Sequence, residues 1–115
     1  MFAAYLVVGT FLALIATVSG VGKLTGLAQV TDTLTKVGVP ARIWPVLAGL
    51  EFAGAAGLVL GYWVWPIGAA AALGLLLYFA GAVIAHFRAG DHAIAPPTVL
   101  ALVGAAVLVL RLSST

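Results

Sequence analysis

The chain has 115 residues, 64% of them hydrophobic and only 7% charged, with five Lys/Arg, three Asp/Glu, two His and no cysteine. Soluble domains carry about 25% charged residues, so a chain with mean hydropathy +1.26 needs lipid as its solvent, and its length leaves room for a single domain. Five scattered cations exclude a nucleic-acid footprint, the missing cysteines exclude a disulfide, a CxxC redox pair and a thiolate metal site, and two histidines are too few for a haem or dedicated metal centre.

A helix needs about 20 mainly apolar residues to cross a bilayer. The first such window is Phe2–Val21, broken only by Thr10, Thr17 and Ser19. No positive segment precedes it, and it outruns the roughly 7–15 apolar residues of a secretory signal, so it reads as a retained span. Residues Lys23–Pro40 form the longest connection. Leu27, Val30, Leu34 and Val37 recur there at helical spacing, which predicts a short amphipathic helix on the membrane surface, ended by Gly38 and Pro40. The second span, Ile43–Tyr62, carries one charge, Glu51. A tight turn at Gly61–Pro66 puts Tyr62, Trp63 and Trp65 at headgroup level. The third span is Val64–Phe87, with His86 near its end. After the polar Arg88–Ala95 loop, Pro96 and Pro97 open a short fourth span, Pro97–Leu112, for which either Arg111 snorkels to the interface or the bilayer thins locally.

Unpaired backbone is not tolerated in lipid and strand-like alternation is absent, so the expected fold is all-α. It is a polytopic membrane protein, an antiparallel four-transmembrane-helix bundle with a short amphipathic interfacial helix between spans 1 and 2. Lys23, Lys36, Arg42 and Arg88 fall in the first and third connections, against Arg111 alone on the other side. The positive-inside rule then places the long loops in the cytoplasm and both termini outside. Ala53-x-x-x-Gly57-x-x-x-Gly61 and Gly81-x-x-x-Ala85 are small-xxx-small patterns, expected to serve helix packing within the chain ahead of contacts in a homo-oligomer.

Glu51 is the most informative residue. It lies nine positions after Arg42, about 14 Å deep at 1.5 Å per residue. A carboxylate there costs at least about 2.5–3.5 kcal/mol, which calls for a partner or a use. Gly54 and Ala55 share its face, so it should point into the bundle. Tyr78, ten residues before Arg88, returns to the same depth and can donate a hydrogen bond to it; Ala71, Gly74, Gly81, Ala82 and Ala85 outline the inward face of that span. Lys23 and His86 lie nearer the cytoplasmic edge and reach Glu51 only through water or a deeper helix end. If the charge is merely tolerated, Glu51→Leu should leave the protein at least as stable as the parent.

Together the landmarks resemble the DoxX-like family of small four-helix bacterial membrane proteins. The resemblance rests on Gly22-Lys23-Leu24, on Gly38-Val39-Pro40 and on the run from Leu50-Glu51-Phe52 to Gly61. It continues through His86-Phe87-Arg88-Ala89-Gly90-Asp91, the Pro96-Pro97 start and Leu110-Arg111-Leu112, almost the whole chain. It implies an antiparallel four-helix membrane fold in the bacterial inner membrane. The family is named for the small membrane subunit of a thiosulfate:quinone oxidoreductase, and some members partner redox or assembly proteins. The resemblance carries a site to Lys23, Glu51, His86 and Arg88, with Tyr78 added from depth. A quinone-like ligand, a membrane or redox partner protein and the bilayer itself are the expected partners; no residue points to thiosulfate chemistry. Two other classes are open: a small proton-coupled transporter and a non-enzymatic chaperone or assembly subunit. Four spans and one membrane Glu match the outline of the small multidrug-resistance exporters, but those carry their Glu in the first span.

Overall fold

The computed structural model describes the whole chain, Met1–Thr115. Its helices are α1 (Phe2–Thr25), α2 (Ala28–Lys36), α3 (Trp44–Leu60), α4 (Trp65–Arg88) and α5 (Ala95–Leu112), with a 3-10 turn at Ala41–Ile43 leading into α3. α1, α4 and α5, and α3 together with its leading turn, are each long and apolar enough to cross a membrane. They form an antiparallel ring in which α1 packs on α3, α3 on α4, α4 on α5 and α5 on α1. The slab measures 40 × 25 × 17 Å. Only 24 of 115 residues are buried, while Val7, Phe11, Leu14 and Val18 on α1 and Leu102 and Val109 on α5 face outward. Hydrocarbon is the medium that suits such a surface, and the chain is a multi-pass membrane protein.

The core is Tyr5, Leu12, Ala13 and Ala16 of α1 against Ala55 and Leu58 of α3, Ala72, Leu75 and Phe79 of α4 and Val107 of α5. The first small-xxx-small pattern packs within the chain. Gly57 faces Ala71, and Gly61 meets Gly68 backbone to backbone, so that a Cβ on Gly68 would stand 2.9 Å from the Gly61 Cα. The second pattern does not pack this way: a Cβ at Gly81 meets nothing within 4 Å, and neither does one at Gly74. The inward face expected for the third span is thus corrected. α4 buries Gly68, Ala69, Ala72, Leu75, Phe79 and His86; of the five small residues expected inward, Ala71 packs on Gly57 while Gly74 and Gly81 lie exposed.

Two helix ends differ from the apolar windows. α1 continues to Thr25 and closes at Gly26, whose φ of 72° suits glycine, so Gly22 and Lys23 are helical rather than loop. Arg111 does not snorkel. It is 5% exposed, and its Nε donates to the Gly61 carbonyl at 2.8 Å. Its guanidinium lies 5.1 Å and 5.3 Å from the ring centres of Phe2 and Tyr5. Tyr5 Oη donates to the Leu58 carbonyl at 2.6 Å. These are carbonyls that the end of α3 cannot pair itself, and the cation sits at the negative end of that helix dipole.

Candidate functional site

Glu51 is fully buried, midway along α3. Its Oε1 accepts from Lys23 Nζ at 2.5 Å, Tyr78 Oη at 3.0 Å and Ser19 Oγ at 3.3 Å. Lys23 Nζ also donates to Ser19 Oγ at 2.8 Å, so α1 supplies two members one turn apart. No water is needed for Lys23 to reach Glu51. Helical side chains lean toward the N-terminus of their own helix, so a lysine near the end of α1 points back into the bundle, over Ser19. Lys23 is only 8% exposed, which makes this a buried ion pair. The second carboxyl oxygen, Oε2, is buried without a partner, so the cluster leaves one acceptor unused.

A second polar group sits where α4 meets the α4–α5 loop. His86 and Asp91 are 7% exposed each, with His86 Nδ1 2.8 Å from Asp91 Oδ2. The Ala93 amide donates to Asp91 Oδ1 at 3.0 Å, and Lys36 of α2 stands 3.5 Å from the same oxygen. The Ala93 N–H, the His86 ring and the Lys36 charge together hold the Asp91 carboxyl below its ordinary range, against the opposing effect of burial.

One cavity joins the two groups. It has a volume of about 370 Å³, and Lys23 and Tyr78 line it alongside His86, with Ala82 of α4 between them and Leu34 of α2 and Val37 just after it on the α2 side. This is the size of a pocket for a small organic head, apolar with a few polar groups. Of the residues singled out from the sequence, Glu51, Lys23 and Tyr78 are bonded together and His86 shares their cavity. Arg88 is exposed at the end of α4 and joins none of the ion pairs, so it lies apart from this site. Ser19 and Asp91 were missed. The four-residue spacing of Ser19 and Lys23 was a usable signal for the first; the second closes the His86–Asp91 run of the resemblance, but its pairing with His86 depends on how the loop folds back.

No curated protein and no solved structure matches the chain. The model of the DoxX-like family does, over residues 7–110, and with nearly the whole bundle and all of the Glu51 cluster inside that match the chain belongs to the DoxX-like family.

Proposed function

We propose that this DoxX-like protein is a subunit of the bacterial inner membrane that binds the head of a lipophilic, quinone-class ligand beneath α2, against Lys23 and Tyr78. The observation that carries this reading is the buried Lys23–Glu51–Tyr78 cluster bordering a 370 Å³ apolar cavity. Glu51 and Ser19 hold the Lys23 amino group in place in a low-dielectric wall, and a positioned N–H donor recognises a carbonyl oxygen far better there than in water. The ion pair also speaks against a proton-for-cation exchanger, which needs its carboxylate free to meet the transported cation.

Thermal stability in detergent tests the reading. A short-chain benzoquinone should raise the melting temperature of the parent and have much less effect on Lys23→Met or Tyr78→Phe. Stabilisation by cationic drugs instead would favour transport, and no response to either would favour a partner protein as the occupant.

A further inference from the structure

His86 stands outside the hydrogen-bonded Glu51 cluster and yet forms part of the same cavity wall. Its partner Asp91 is an ionised carboxylate with no hydrogen to give, so the 2.8 Å contact places the ring proton on Nδ1, which donates to Oδ2. In the neutral imidazole, Nε2 is then an acceptor. It has no partner within the protein and is not among the sealed polar atoms. Two turns earlier on α4, Tyr78 gives its hydrogen to Glu51, and Lys23 spends two of its three on Ser19 and Glu51. His86 and Lys23 both line the cavity, and these, Nε2 and the third N–H, are the hydrogen-bonding positions that the protein itself leaves free on them.

Tyr78 and His86 are eight residues apart, about 12 Å along the helix, with Ala82 midway leaving the gap open. The cavity, lined by Lys23 at one end and His86 at the other, has the volume for a single aromatic ring with a short tail. Resting on the reading of the cavity as an amphiphile site, we propose that its preferred occupant carries a ring hydroxyl, a phenol or hydroquinone whose O–H is donated to His86 Nε2 while Lys23 serves its far end. A quinone or an aryl ether can still accept from Lys23 but has no hydrogen for Nε2, so it binds in the same place and more weakly.

The test needs no redox chemistry. At pH 8, 4-butylphenol and 4-butylanisole differ by a methyl cap on the hydroxyl, and Trp44, whose Nε1 donates to the carbonyl of the cavity residue Val39, serves as fluorescent reporter. The phenol should bind at least about tenfold more tightly, the size of one good hydrogen bond. His86→Phe should bring the phenol down to the anisole's affinity and leave the anisole unchanged. Asp91→Ala, which frees the tautomer but keeps the ring, should lose part of the preference and serves if His86→Phe does not fold. Equal binding of the two probes to the parent would overturn the proposal while leaving the amphiphile site standing. A preference that survives His86→Phe would overturn the assignment to His86, and failure of both probes to bind would remove the amphiphile site and the proposal with it.

Discussion

Glu51 shows how far depth and spacing carry an inference and where they stop. Counting residues from Arg42 and Arg88 put Glu51 and Tyr78 at one level, and their hydroxyl–carboxyl contact is 3.0 Å. The same counting kept Lys23 away, because it measures Cα depth and ignores the reach of a lysine that leans back along its helix. The consequence for mutation is a reversal. Glu51→Leu now leaves Lys23 as a buried cation without its counter-ion, so it should destabilise by about 3–5 kcal/mol instead of being neutral. Adding Lys23→Met should restore most of that loss, and denaturant titration in detergent measures both; a Glu51→Leu single variant as stable as the parent would refute the pair's role. Asp91 makes a second residue-level case. Its native pKa is lowered, so the stability it contributes is present above the ordinary carboxyl range, near pH 4, and is lost as pH falls through the lower native value. Melting temperatures followed from pH 6 down to pH 3 should fall less steeply for Asp91→Asn than for the parent.

Among the helices, apolar runs revealed which elements exist, and tertiary contacts decided where they end. Hydropathy drops at Lys23, yet α1 continues past it because Glu51 compensates the charge. The amphipathic pattern from Leu27 to Val37 does form a helix, Ala28–Lys36; that it also covers a cavity depends on α4 placing small Ala82 beneath it, a pairing no local pattern records. Arg111 is the clearest instance. Read alone, it is a cation at the end of a short span. In the bundle it caps the carbonyl end of α3, fifty residues away in sequence. Arg111→Met should therefore cost about 1.5–3 kcal/mol, the range for hydrogen bonds to a charged group, with the loss visible in thermal unfolding in detergent. Were Arg111 only an interfacial anchor, the same change would leave stability within about 0.5 kcal/mol.

For the molecule as a whole, the two ends of the bundle differ in charge more sharply than the sequence count suggests. Lys23 and Arg111 are buried and engaged, which leaves Lys36, Arg42 and Arg88 as the exposed cations. All three lie at the end formed by α2 and the α4–α5 loop, and the opposite end, with the termini and the Tyr62–Trp65 turn, has no exposed Lys or Arg side chain. Loop cations resist translocation, so the α2 end is expected in the cytoplasm, and the cavity beneath α2 then opens on that side. The chain has no native cysteine, which makes labelling free of background. Thr33→Cys on α2 and Ser113→Cys after α5 are both exposed positions; Ser114 is less suited because its hydroxyl accepts from Arg111. In intact cells an impermeant maleimide should modify the cysteine at 113 and spare that at 33, which should react only after permeabilisation. Replacing Lys36, Arg42 and Arg88 together by glutamine should remove the bias and give both labelling patterns in one population. Modification of Thr33→Cys from outside in the otherwise unaltered chain would reverse the orientation and place the mouth of the cavity on the outer face.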